Sequence, residues 1–254
     1  MRISEWIGVT YFAYLAAACA RRRFVVSLQA LAIALVIVIG ARYAATQVRD
    51  VIPLAYILAG YYLCAGLFVR PSARAEAWLL AWDRRLLGDP ATRFSRWPRL
   101  VLAYLDIVYV GCFLLVPLGL ALLALNGLSR RADAYWTIVM SCEFGAFAPL
   151  AFVQTRPPWA IEGERALRDR AVHRAAAAFV RTFTIRVNTF PSGHAAGSIG
   201  VALAVIGAMP LAGAVLLVVA STICVASVAG RYHYAVDVAA GVLLAVAVWL
   251  ATYR

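Results

Sequence analysis

Lysine is absent from this chain: all 24 of its basic residues are arginine. With the abundance of alanine, that bias suggests a GC-rich bacterial genome. Acidic residues number only 12 and charged residues only 14% of the chain, whereas hydrophobic residues make up 64%. So little charge, with a mean hydropathy of +0.82, excludes an ordinary soluble domain and points to membrane spans. The five cysteines (Cys19, Cys64, Cys112, Cys142, Cys224) form no Cys-x-x-Cys pair and all lie in apolar segments. They read as small hydrophobic residues, not as metal ligands or disulfides. A cleavable leader is not predicted, because Arg21-Arg22-Arg23 follows the first apolar segment. The net charge of +12 does not indicate a nucleic-acid partner. The arginines sit between apolar runs, where anionic lipid head groups and the positive-inside bias account for them.

What is present is a series of apolar stretches close to the roughly 20 residues that a helix needs to cross the hydrocarbon core. Spans are predicted at 24–42, 51–69, 100–125, 135–153, 195–208, 211–229 and 235–253. The segment 6–18 is short and aromatic and reads as an interfacial or partly inserted helix. Trp78, Leu79, Trp82 and Leu86 form a helical stripe beside Asp83, Arg84 and Arg85, the pattern of an amphipathic helix on the membrane surface, ended by Gly88-Asp89-Pro90. The expected fold is all-α: a multi-pass transmembrane helical bundle of six to seven spans with an amphipathic interfacial helix. Residues 1–99 supply the N-terminal spans and that helix, and 100–254 the catalytic core. The loop 154–190 is long and arginine-rich, with a short helix expected near 164–181 carrying a solvated His173.

The polar residues worth chemistry are concentrated in two short stretches. Asn188-Thr189-Phe190-Pro191-Ser192-Gly193-His194 reads as a turn that delivers a histidine to a helix N-terminus, where free N–H groups favour an anion. In Arg231-Tyr232-His233-Tyr234, His233 stands four residues before Asp237, so on a helix a carboxylate can hold the imidazole. Arg156 and Arg231 can each grip a phosphate in bidentate fashion. Two histidines and a carboxylate could also form a facial metal triad, but the neighbouring arginines would repel a divalent cation. No metal or cofactor is expected. On the predicted topology Arg156, His194 and His233 emerge on one side of the membrane. That side also holds most of the arginines, which places the site at the cytoplasmic face of a bacterial inner membrane.

At these residues the chain resembles the phosphatidic acid phosphatase type 2 / haloperoxidase superfamily. Its motifs are Lys-x6-Arg-Pro, Pro-Ser-Gly-His and Ser-Arg-x5-His-x3-Asp. The second is matched in full by Pro191, Ser192, Gly193 and His194. The first is matched at Arg156-Pro157, with Pro149 where lysine is expected. The third is matched at His233 and Asp237, with Ala226 and Ser227 in place of Ser-Arg. These departures resemble the inositol phosphorylceramide and sphingomyelin synthase branch, which transfers lipid head groups. The resemblance implies a membrane lipid phosphatase acting through a phosphohistidine, or a phosphotransferase with a lipid alcohol acceptor. His233 would be the nucleophile, Asp237 its orienter, and His194 the acid and base. Arg156, Arg231, Ser192 and the Gly193 amide would hold the phosphate oxygens. A non-catalytic lipid-binding or transport protein is the remaining alternative. Asp106 and Arg186 are further candidate substrate contacts. Glu143 lies 13 residues before Arg156, roughly 20 Å along a helix, and is expected to make a structural hydrogen bond between helices.

Overall fold

A computed structural model describes residues 1–162, 171–185 and 187–252. Among these there are thirteen α-helices and no strand beyond one isolated bridge pairing Thr155 with Asn188. In chain order they are α1 (Ile3–Cys19), α2 (Phe24–Tyr43), α3 (Thr46–Val51), α4 (Pro53–Cys64), α5 (Ala73–Leu87), α6 (Pro90–Ser95) and α7 (Arg99–Leu125). There follow α8 (Ala132–Phe147), α9 (Pro158–Glu162), α10 (Ala171–Phe183), α11 (Gly193–Ile206), α12 (Pro210–Ala229) and α13 (Ala235–Thr252).

The architecture is an all-α membrane bundle. Helices α2, α7, α12 and α13 are each long and apolar enough to cross a bilayer, while α1, α11 and α4 with its short 3-10 extension are apolar but shorter. Lipid accounts for the exposed apolar side chains of α2, among them Leu31, Leu35 and Ile39, since no aqueous penalty attaches to them there. The core lies where α8 and α11 cross, flanked by α1, α7, α12 and α13. Trp136, Val139 and Cys142 of α8 and Val201, Ala202 and Val205 of α11 are fully enclosed in it.

Two helices carry contacts that the sequence reading did not supply. The first apolar segment, shorter than a full crossing, packs into the bundle: Phe12 and Leu15 of α1 are completely buried, and Tyr11 stacks on Phe144 of α8 at 4.1 Å. Polar contacts fix its start, because Ser4 donates to Asp133 (2.6 Å) and Arg49 binds Glu5 (2.7 Å). The second is α5. Trp78 and Leu86 are exposed as expected of a surface helix, but Leu79 is buried together with Glu76 and Asp83. These three residues share one face by their spacing of three and four, so α5 turns its acids toward the protein.

The long loop is closed at its neck. Asn188 N donates to Thr155 O (2.9 Å) and Asn188 Nδ2 to Thr155 Oγ1 (3.1 Å), which sets Arg156 beside the turn leading to His194. The helix expected near 164–181 corresponds to α10, although residues 163–170, with Arg165, Arg168 and Arg170, and Arg186 lie outside the described residues, as do the side chains of His173 and Arg181. Helix α10 packs on α7 through Phe179 against Phe113 (5.7 Å) and a buried Val180.

Candidate active site

Helix α11 begins where the turn chemistry predicts. Ser192 is its N-cap, and its Oγ accepts from Ala195 N at 3.3 Å. The cap places His194 in the first helical turn. Its neighbour α13 comes unusually close: a Cβ at Gly241 would lie 2.6 Å from Ser192 O and 3.0 Å from Ala195 Cβ. Only glycine permits that approach, and Ser192 N then donates to Asp237 O at 2.9 Å. The first turns of α11 and α13 are thus pinned side by side, with one histidine at the head of each.

His233 lies in the turn between α12 and α13. Helix α12 ends in a Schellman motif: Tyr232 N bonds to Ser227 O (2.9 Å) and Arg231 N to Val228 O (3.1 Å). Its left-handed position is occupied not by glycine but by Arg231, at φ 59°. A side chain there costs about 1–2 kcal/mol, and two ion pairs offset it. Arg231 Nη1 donates to Asp83 Oδ2 (2.8 Å), and its Nε and Nη2 approach Glu162 Oε2 at 2.9 and 2.8 Å. The other oxygen of Asp83 accepts from Ala235 N (2.8 Å), satisfying a free N–H at the start of α13. The loop adds Trp159 N to Arg231 O (3.1 Å) and Tyr234 Oη to Arg156 O (2.9 Å).

These supports bring the two imidazoles together. His194 Nδ1 and His233 Nε2 are 3.2 Å apart, and His233 Nδ1 lies 3.3 Å from Asp237 Oδ2. With the carboxylate accepting from Nδ1–H, the Nε2 lone pair of His233 faces the Nδ1–H of His194. The His194 ring rests on Tyr109 (centroids 5.1 Å) and meets the edge of Phe113 (5.5 Å), while Tyr109 stacks in turn on Tyr232 (4.1 Å). Tyr109 and Phe113 are four apart on α7, a spacing that sequence alone cannot tell from ordinary core packing.

The phosphate-binding candidates are placed less uniformly. Arg156 is partly exposed and lies against Glu76, to which its backbone N, Nε and Nη2 all donate at 2.9–3.0 Å. The guanidinium holds the Glu76 carboxyl below the usual carboxylate range. Arg231 is buried between Asp83 and Glu162. The Ser192 hydroxyl is engaged as the α11 cap, and Gly193 N donates to Thr189 Oγ1 (3.1 Å). Asp106 is buried on the stripe of α7 that also carries Leu102 and Tyr109. Glu76, Asp83 and Glu162 were not among the sequence candidates. The available signal was the pair of acids seven apart on α5, with Leu79 between them.

Two cavities meet at the histidines. One, of about 110 Å³, is lined mainly by apolar side chains of α4, α7 and α8, with Glu143, Thr189, Ser198, His194 and His233 at its polar end. The other, of about 30 Å³, lies among Tyr109, Pro157, Trp159, Val180 and Tyr232 and reaches the same two rings. Neither guanidinium is among the residues lining these two cavities. Glu143 is therefore a correction. Instead of bridging helices out of reach of the site, it opens into the same cavity as His194, and no described residue hydrogen-bonds to it.

A family model described as the PAP2 superfamily matches residues 77–251. The chain belongs to this superfamily. Neither a curated protein nor a solved structure matches it. The match begins inside α5, one residue after Glu76, and takes in Asp83, the acid that holds Arg231. Membership makes the protein a phosphoryl-transfer enzyme of the phosphatase type, and its apolar helices make it a membrane protein.

Proposed function

We propose that this protein removes phosphate from a membrane lipid phosphoester through a phosphohistidine on His233. One observation carries the reading: Asp237, His233 and His194 form a line in which a carboxylate backs one imidazole and a second imidazole faces its free nitrogen. Phosphorus entering between the rings meets the Nε2 lone pair on one side. On the far side, the His194 Nδ1–H points at the leaving oxygen, as in-line displacement requires. The Nε2–P bond forms as the lipid P–O bond breaks, and the His194 proton passes to the lipid alcohol. Asp237 stabilises the charge that develops on His233. Water then gives a proton to His194, attacks phosphorus and releases the histidine with inorganic phosphate. The 3.2 Å contact belongs to the resting site, and substrate parts the rings. Arg156, which has access to solvent, supports the role of phosphate grip on leaving Glu76, together with the Gly193 amide on leaving Thr189. Arg231, buried between two carboxylates, fits a structural role better.

Head-group transfer is the second reading. It is favoured by Pro149 and Ser227 standing where the superfamily pattern has cations, and it differs only in using a lipid hydroxyl instead of water. Purified protein given lipid phosphates labelled in the phosphoryl group, with and without lipid alcohols, tests both. Free phosphate lost in His233→Ala and Asp237→Asn is expected. A fully active His233→Ala enzyme would remove the nucleophile assignment, and a new labelled lipid in place of free phosphate would favour transfer.

A further inference from the structure

Glu143 is a carboxyl on α8 without a hydrogen-bond partner among the described residues, and the fold makes room for it. A Cβ at Gly197 would overlap Oε1, and one at Gly193 would lie 3.6 Å from Oε2. The carboxyl therefore lies over the glycine face of α11, within a turn of His194. The side chain is only partly enclosed and lines the cavity shared with His194 and His233, so the carboxyl is open to a hydrogen bond from a ligand held there.

The cavity it opens into indicates what kind of ligand. Leu54, Ile57 and Leu58 of α4 and Phe113 and Val116 of α7 form its apolar walls. Helix α4 packs on α8, and the cavity runs between the α4 and α7 walls. Leu58, one of these lining residues, is itself half exposed, so the cavity is reachable from outside along an apolar wall. An acyl or alkyl chain entering there brings its polar end first to Glu143 and then to the histidines. Ionised or not, a carboxyl keeps an oxygen that accepts a hydrogen bond. A lipid with a hydroxyl, amide or amine beside its phosphoester supplies the donor; one esterified at every neighbouring oxygen does not.

We propose that Glu143 is a specificity-determining residue that selects lipid phosphoesters bearing a hydrogen-bond donor next to the phosphate-carrying carbon. This rests on the phosphatase reading above and names its substrate class. Leaving a buried hydrogen-bonding group without its partner costs about 1–3 kcal/mol, so the preference should be on the order of tenfold.

The test compares 1-acylglycerol 3-phosphate, which has a free neighbouring hydroxyl, with 1,2-diacylglycerol 3-phosphate, both in mixed micelles. Phosphate release is measured for wild type, Glu143→Gln and Glu143→Leu. Binding of both lipids is measured in parallel on His233→Ala and on its double variants with each Glu143 substitution. Wild type is expected to favour the hydroxyl-bearing lipid about tenfold in kcat/KM, Glu143→Gln to keep part of that ratio, and Glu143→Leu to bring it near one. Glu143→Leu should also be at least as stable as wild type, since a leucine there leaves nothing unpaired. A ratio unchanged by Glu143→Leu, or no preference in wild type, overturns the inference. Absence of phosphate release from either lipid would sink the phosphatase reading alone. The binding ratio would then decide the role of Glu143: a preference lost with leucine supports it, and equal binding refutes it.

Discussion

Replacing Asp83 by alanine should damage both stability and turnover, although the residue lies on α5, far in sequence from the histidines. Its side chain is 1% exposed and makes two hydrogen bonds of 2.8 Å, from Arg231 Nη1 and Ala235 N. Alanine would leave a buried guanidinium with only Glu162 opposite it. Breaking a buried ion pair from one side costs about 3–5 kcal/mol, and an orphaned helix N–H about 1–3 kcal/mol. The two losses share one site and do not add, so about 4 kcal/mol is expected. The Asp83→Asn change would keep an acceptor for Ala235 N and should cost clearly less. Arg231 also holds a left-handed conformation that arginine does not favour, so the weakened pair frees the turn carrying His233. Denaturant unfolding in micelles, followed by tryptophan fluorescence, reads the first effect. Phosphate release well below the unfolding midpoint reads the second, where Asp83→Ala should lower kcat by at least about tenfold, the effect of roughly 1.4 kcal/mol of misplacement at the transition state. An Asp83→Ala protein within about 0.5 kcal/mol of wild type, or a stable one with undiminished kcat, would refute the reasoning.

Two further expectations follow from the same geometry. Gly241→Ala puts a methyl 2.6 Å from Ser192 O, so α13 must move off α11; activity should fall more than stability does, and an active, unshifted alanine variant would show that the close crossing does not set the spacing of the two histidines. Arg156 depresses the Glu76 carboxyl, so this pair contributes stability above the ordinary glutamate range, about 4.3, and loses it as pH falls through the lower native value. Glu76→Gln should therefore be less stable than wild type at neutral pH and show a shallower acid limb in unfolding midpoint against pH; parallel limbs would contradict the assignment.

The helices and the three motifs are readable in the sequence because each has a local cause. Apolar runs of sufficient length have few alternatives to spanning, and Pro191, Ser192 and Gly193 specify a turn and a cap within four residues. What escapes a linear reading is long-range. Asp83 and Arg231 are 148 positions apart, and the two acids seven apart on α5 mark a shared face without revealing which arginines they hold. Counting residues along its own helix puts Glu143 out of reach, a measure that ignores how a neighbouring helix can bring His194 to it. Tyr109 and Phe113 have the spacing of any packed stripe, and only the ring beneath His194 gives them a role. The segment 6–18 is short for a crossing, yet burial of Phe12 and Leu15 depends on partners that length does not report.

The inward acids of α5 have a mechanical corollary. Trp78 and Leu86 ride outside while Glu76 and Asp83 grip Arg156 and Arg231, so the helix forms a lever between the outer surface and the turn that carries His233. Any change in the lipid surface that tilts this lever would be felt at His233 before a single span came loose. Turnover would then depend on the thickness and head-group charge of the surrounding membrane, even with substrate held constant.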